Sequence, residues 1–220
     1  MNTNQWDDHA QAYQAYFNDT DDRVSSTQVF PRIISVLGQV KGKRVLDIGC
    51  GQGRFSRAFH DLGAQVAAYD ISPKETEIAI SMDEGRGITY THDSTILKSR
   101  NAFDLVFCFM ALLCNPRDQA LELLQAAYEC LVPGGMACFA NTNTETLGQR
   151  FKDFFSEPPA ERKAGVPYKT IIPNSEADII VTDYYYSPED LRTLFASACF
   201  VTAHEEVVAE QFVFHVLRKK

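Results

Sequence analysis

Val45-Leu46-Asp47-Ile48-Gly49-Cys50-Gly51-Gln52-Gly53-Arg54-Phe55 joins a buried-strand signal to a glycine-rich turn and then to the start of a helix. Three glycines at alternate positions let the backbone turn tightly and bring bare N–H groups against a ligand, because no Cβ stands in the way. The helix that follows aims its own unpaired N–H groups at the same place, which favours an anionic or strongly polar ligand. The spacing is G-x-G-x-G, with Arg54 where a dinucleotide fingerprint would place a further helix-packing residue before its last glycine.

Downstream, Gln65-Val66-Ala67-Ala68-Tyr69-Asp70 reads as a second short apolar strand ending in a carboxylate, about twenty residues after Gly49. In doubly wound α/β folds an acid at that strand tip accepts hydrogen bonds from a ribose diol. A simple strand-end acid is the bland alternative. Ser72-Pro73-Lys74-Glu75 then opens a helix, with Ser at the N-cap, Pro at the first helical position and Glu placed to close a capping box. Strand, glycine turn, helix, strand, acid, helix is the order of a nucleoside-binding half-domain.

Here the chain resembles the class I S-adenosylmethionine-dependent methyltransferases. VLDIGCGQGRFS, residues 45–56, looks like that family's first motif and Asp70 like its ribose-binding acid. Tyr90-Thr91-His92-Asp93-Ser94 is similar to the third-strand motif, Phe103 to Leu112 to the fourth strand and its exit, and Leu131-Val132-Pro133-Gly134-Gly135 to the turn before the fifth. Together these cover residues 40–142 in order. The resemblance implies an α/β, Rossmann-like three-layer sandwich around a seven-stranded, mostly parallel sheet of order 3-2-1-4-5-7-6. It also implies S-adenosyl-L-methionine as cofactor and S-adenosyl-L-homocysteine as product. By the same resemblance Gly49, Cys50, Gly51 and Gly53 shape the cofactor turn, and Ile71 packs on the adenine. Asp93 and Ser94 read the adenine edge, while Phe109, Met110 and Asp47 lie near the amino-acid end. Tyr13, in Ala10-Gln11-Ala12-Tyr13, resembles an A-x-x-Y helix whose tyrosine reaches the cofactor's carboxylate; a plain amphipathic helix docking on the core explains the same spacing.

Periodicity supports this organisation independently. Strands are expected near 43–48, 65–70, 88–92, 103–109, 134–141, 199–207 and 211–218, with helices near 53–62, 73–82, 117–130 and 187–197. Their alternation through residue 142 implies a parallel sheet with helices on both faces. The last two strands are joined only through Val208-Ala209-Glu210, too short for a crossover helix, so they form an antiparallel hairpin. Before the first strand, Trp6, Ala10, Tyr13 and Phe17 form an amphipathic stripe, and a second helix runs from Val24 to Leu37. Between the fifth strand and Ser187, residues 144–157 read as a helix, and Tyr168–Pro173 and Ala177–Tyr186 as a hairpin. The expectation is one domain, 1–220, with a helical lid over 1–38 and a substrate-side insertion over 143–186.

The chain has 220 residues, 45% hydrophobic and 23% charged, enough for a full α/β core. Its formal charge of −8, with no basic cluster beyond Arg218-Lys219-Lys220, argues against a phosphate backbone as partner. The six cysteines show neither metal spacing nor a disulfide framework. A polar N-terminus and the absence of a long apolar run predict a cytoplasmic chain with no membrane partner. No metal is expected.

Methyl transfer from a sulfonium is an in-line displacement that needs a cofactor cradle, a dry cavity and, for an acceptor with a proton to lose, a base. The sequence names no base: the catalytic residue is unknown, and Leu112-Leu113-Cys114 stands where many relatives place a polar residue. Trp6, Phe17, Tyr184 and Tyr186 are the candidate acceptor-side residues, with plain aromatic packing the favoured alternative account of each. The expected activity is methyl transfer to N or O of a small organic acceptor with an aromatic or heteroaromatic body. A cofactor-binding partner subunit without catalysis, or an NAD-dependent oxidoreductase, are the alternatives. An exposed aromatic lid could also serve as a homodimer surface.

Overall fold

The computed structural model describes residues 4–18, 23–174 and 177–220, with residues 4 and 15–18 described by backbone alone. Five parallel strands come first: β1 Arg44–Ile48, β2 Gln65–Tyr69, β3 Thr89–Thr91, β4 Phe103–Phe109 and β5 Leu131–Thr142. Two lid-side strands and their partner, β6 Phe155–Ser156, β7 Pro167–Ile172 and β8 Ile179–Tyr184, make a separate antiparallel sheet. β9 Val201–Val208 and β10 Phe212–Arg218 return to the main sheet. Its order, β3-β2-β1-β4-β5-β10-β9, is the expected 3-2-1-4-5-7-6 when its seven strands are counted alone. β10 runs antiparallel to both β5 and β9.

Side-chain alternation makes the three layers. Val45, Leu105, Phe107 and Cys138 face α2 (Phe30–Leu37) and α3 (Arg54–Asp61), where Ile33 and Phe59 meet them. Leu46, Ile48, Val106 and Phe139 face α5 (Arg117–Cys130) and α6 (Pro188–Ser197), where Leu124 and Phe195 close the other core. Strands buried on both faces read as continuous apolar runs, as these do. Phe107 sits at the heart of the first face, with the rings of Phe30, Phe55 and Phe59 at 6.1, 5.6 and 5.0 Å.

The turn between β9 and β10 holds Ala209 and Glu210 at φ of +50° and +62°, the left-handed pair that matches strand twist in tight hairpins. All six cysteines are free. No helix among the described residues is long and apolar enough to cross a membrane.

The expected helix over 144–157 does not form. A single 3₁₀ turn at Thr144–Thr146 is followed by irregular chain and β6. Gly148, at φ +96°, breaks the helical path. The apolar spacing that suggested a helix serves two different neighbours: Leu147 packs with Tyr168 and Tyr185, whereas Phe154 meets Phe212. The hairpin beyond it is present, with Tyr168 opposite Asp183 and Thr170 opposite Val181.

α6 begins with a complete capping box, in which the Ser187 side chain accepts from Asp190 N and Asp190 accepts from Ser187 N. Just before it, Tyr186 is fully buried and its hydroxyl donates to the Asn115 carbonyl at 2.8 Å. Tyr186→Phe leaves that carbonyl without its donor and should cost roughly 1–2 kcal/mol in urea unfolding, with cofactor affinity unchanged.

Candidate active site

β1 ends at Ile48, and the chain stays bonded to β2 as it leaves the sheet, Gly49 N and Cys50 N both donating to Tyr69 O at 2.7 and 3.0 Å. Gly49, Gly51 and Gly53 all take positive φ, 72°, 51° and 76°. They do so for different reasons. A Cβ on Gly49 would lie 2.3 Å from the Ala111 Cβ, and one on Gly53 would lie 2.6 Å from the Tyr90 ring. A Cβ on Gly51 would meet only a Glu75 oxygen at 3.7 Å, so this glycine faces open space.

Asp70 follows β2 directly and is buried. Gly51 N donates to its Oδ2 at 2.8 Å and Ser72 N to its Oδ1 at 2.9 Å. Burial still holds its carboxyl above the usual range, those two backbone donors pulling the other way. This arrangement changes the start of α4 (Pro73–Ser81). Ser72 accepts from Glu75 N as an N-cap should, but its own N–H is given to Asp70 rather than to Glu75. The expected capping box is therefore half made. The Glu75 carboxylate, displaced from it, is buried with no hydrogen-bond partner on either oxygen. Burial, reinforced by Asp70, pushes it up to about 8.

A cavity with about 800 Å³ of non-atom space, open to solvent, lies over this turn. Gly49, Gly51, Asp70, Ile71 and Glu75 form its floor, and Trp6 and Tyr13 of α1 (Asn4–Asn18) overhang it. On the other flank of the turn Asp47 and Cys50 line a continuing depression with Phe109 and Met110. Ser56 Oγ donates to Asp47 at 2.5 Å, yet burial pushes this carboxyl up to about 7. Met110 is held at φ +61°, a strained conformation for a non-glycine residue, at the point where β4 leaves the sheet.

A second cavity of about 600 Å³ adjoins the first. Trp6, Tyr13, Phe109, Met110 and Cys114 line both. Its far wall carries Phe154 and Phe212 beside Arg23, Arg54 and Asp153, and its roof is the inner face of the β7–β8 hairpin: Thr170, Ile172, Val181 and Asp183. α1 is tied across both cavities. Its Ala10 carbonyl accepts from Gln52, Asp7 meets Ser72 and Lys74, Gln5 accepts from Thr182 N, and Ala12 O accepts from Asn174.

The structure thus gathers Tyr13, Asp47, Gly49, Cys50, Gly51, Asp70, Ile71, Phe109, Met110 and Trp6 around adjoining cavities. Gly53 is spent on the close approach of α3 to Tyr90. Asp93 and Ser94 are exposed beyond β3, where Asp93 accepts from Thr95 N at 2.9 Å, and neither lines these cavities. Tyr184 and Tyr186 are corrections. They pack with the α5–α6 core, because alternation along β8 and its exit sends Asp183 rather than its neighbours to the cavity. The side chain of Phe17 lies outside the described residues. Glu75, Cys114, Asn115, Thr170 and Asp183 are cavity residues that the motifs did not announce.

Residues 23–204 match the family described as a methyltransferase domain. The chain belongs to the class I S-adenosylmethionine-dependent methyltransferases, whose cofactor is S-adenosyl-L-methionine. Over 107 residues it is 33% identical to the ubiquinone biosynthesis O-methyltransferase of Idiomarina loihiensis, a match covering 46% of this chain and 43% of that one. The chain thus spans less than half the length of the curated relatives it matches. The magnesium protoporphyrin IX methyltransferase of Synechocystis, solved with its bound cofactor, shares the fold at a TM-score of 0.68 and 16% identity, over 99% of this chain and 95% of that one. A 1,6-didemethyltoxoflavin-N1-methyltransferase from Burkholderia thailandensis does so at 0.66 and 15%, over 97% and 84%.

Proposed function

We propose that this protein transfers a methyl group from S-adenosylmethionine to an oxygen or nitrogen of a small aromatic or heteroaromatic acceptor. The observation that carries the reading is the pair of adjoining cavities with five lining residues in common. One is floored by the glycine turn and carboxylates; the other is walled by phenylalanines and roofed by the hairpin. The residues present fit the cofactor: Gly51 faces open space beside Asp70, and Glu75 carries two buried oxygens lacking donors. In this reading Asp70 and the Gly51 backbone hold the ribose, Ile71 packs on the adenine, and Asp47 faces the amino-acid end. When bound, the cofactor supplies an electrophilic methyl carbon. Trp6 and Tyr13, on a helix tied down from Gln5 to Ala12, exclude water from the seam and hold the acceptor in line. α1 and the β7–β8 hairpin act as the covering parts of a single domain, and the ubiquinone-pathway relatives favour a hydroxyl over an amine.

Calorimetry with S-adenosylhomocysteine tests the cofactor half. Wild type should bind in the micromolar range and Asp70→Ala about tenfold to a hundredfold more weakly, the loss expected for a hydrogen bond to a charged group. Equal affinities for the two proteins would overturn the assignment of Asp70, and no binding to either would remove the reading.

A further inference from the structure

The sequence names no base for the reaction, but the second cavity is lined by a buried carboxylate. Asp183 lies on the inner face of the β7–β8 hairpin, buried, with its carboxylate on the acceptor cavity. Its donors are neutral: Thr170 Oγ1 gives a hydrogen bond to Oδ2 at 2.7 Å, and the Cys114 thiol, whose single hydrogen also faces Met110 O at 3.2 Å, lies 3.3 Å from Oδ1. Ser156 Oγ sits 2.8 Å behind Thr170 and holds its hydroxyl in place. Cys114 lines both cavities, so Asp183 stands one hydrogen bond from the seam where donor and acceptor meet. A carboxylate offers about four lone-pair positions, and these two donors leave room for another.

We propose that Asp183 is the catalytic base of this protein and that the acceptor is a small aromatic compound bearing an ionisable hydroxyl. The inference rests on the methyltransferase reading above. In the step, an acceptor oxygen lone pair forms the new O–C bond and the C–S bond breaks with its electron pair going to sulfur, which becomes neutral. The hydroxyl proton passes to an Asp183 oxygen and from there to solvent. The products are the methyl ether, S-adenosylhomocysteine and one proton.

The other groups on that cavity are less suited. The Cys114 thiol is pushed well up by burial and by Asp183 itself, so it stays protonated. Asp153 accepts from Val24 N at 3.2 Å and holds the start of the chain segment before α2. His215 is fully buried in β10, its ring 4.9 Å from that of Phe195, away from both cavities. Asp183, by contrast, has no cation among its donors, and burial raises its basicity, which suits proton removal near neutral pH. The titratable and charged groups around it are Tyr168 from β7, Cys114 from the turn after β4, Tyr13 from α1, and Arg23, Arg54 and Asp153 on the far wall.

The probe is 4-nitrophenol, whose ionisation is visible in its spectrum, added to protein saturated with S-adenosylhomocysteine. In wild type the Asp183 anion opposes the phenolate, so the bound probe should ionise at higher pH than in Asp183→Asn, by about one unit or more. With phenolic acceptors, Asp183→Asn should lower kcat about a hundredfold with little change in KM and remove the acidic limb of the pH profile. Thr170→Val, a milder change, should move that limb to higher pH by taking a donor from the carboxylate. Identical probe ionisation in wild type and Asp183→Asn overturns the proposal. So does failure of the probe to bind protein that still binds S-adenosylhomocysteine, an outcome that leaves the cofactor reading intact. Loss of S-adenosylhomocysteine binding in wild type would instead remove the reading on which the proposal rests.

Discussion

Gly49→Ala is expected to weaken S-adenosylhomocysteine binding by at least about a hundredfold and to lower folding stability by roughly 2–4 kcal/mol. Two independent costs combine. At φ +72° an alanine sits in the left-handed region, which costs on the order of 1–2 kcal/mol. Its Cβ would also fall 2.3 Å from the Ala111 Cβ, so either the glycine turn or the chain after Met110 must move. The turn is fixed by the short bond from Gly49 N to Tyr69 O, and the other segment by Met110 N to Ala140 O at 2.8 Å. Both segments line the first cavity, so relief of the clash deforms the proposed cradle whichever one yields. Ala111→Gly removes the opposing methyl and should recover much of the affinity of Gly49→Ala, leaving the backbone cost. Calorimetry and urea unfolding of the two single variants and the double variant give that coupling directly. Affinity of Gly49→Ala within about threefold of wild type would show that the turn is not where the cofactor sits.

The fold was legible because its signals are local or periodic. β1 with its glycines, the apolar strand before Asp70, and the short link at Ala209-Glu210 each specify a geometry within a few residues, which gives a parallel sheet ending in an antiparallel hairpin, while the order of the strands is what the family resemblance implies. The site was only partly legible. The residues that line the first cavity come from strand ends and one turn, so motif spacing points to them; Asp93, at the exposed end of the short β3, lies outside that lining. The acceptor side is built by tertiary approach. Asp183 stands next to three tyrosines, and nothing in that run says that the acid faces inward; register against Thr170 and Tyr168 decides it. Cys114 reads as a small apolar residue until the hairpin brings Asp183 to it. Glu75 misleads most, because Ser-Pro-Lys-Glu is a sound capping signal. It fails only because Asp70, five residues upstream, takes the N–H that Glu75 would have bonded.

That half-made cap contributes to the pH dependence of the protein, most clearly above pH 6.5, where the opposing titration of His215, lowered by burial to about 4, is complete in both folded and unfolded chains. Between pH 6.5 and 8 the folded chain should lose stability, and Glu75→Gln should remove a large part of the loss. The sign follows from proton counting. Glu75 is raised from 4.5 to about 8, and Asp47 from 3.8 to about 7, so across this range the native state holds protons that the unfolded state has released. Stability is then fully present below the unfolded values and falls as pH rises through the folded ones, by an amount on the order of a few kcal/mol for the two together. Glutamine keeps the shape of Glu75 and cannot ionise, so Glu75→Gln should be more stable than wild type by roughly 1–3 kcal/mol at pH 8 and nearly equal to it at pH 5. Urea midpoints across that range measure this, and parallel curves for the two proteins would refute it. The same protons must answer to the cofactor. An ammonium or sulfonium entering the adjoining spaces that Glu75 and Asp47 line on either flank of the glycine turn favours their anions, so binding should release protons near pH 7 and tighten as pH rises. Calorimetry in two buffers of different ionisation enthalpy counts those protons, and Glu75→Gln should reduce the number released without abolishing binding.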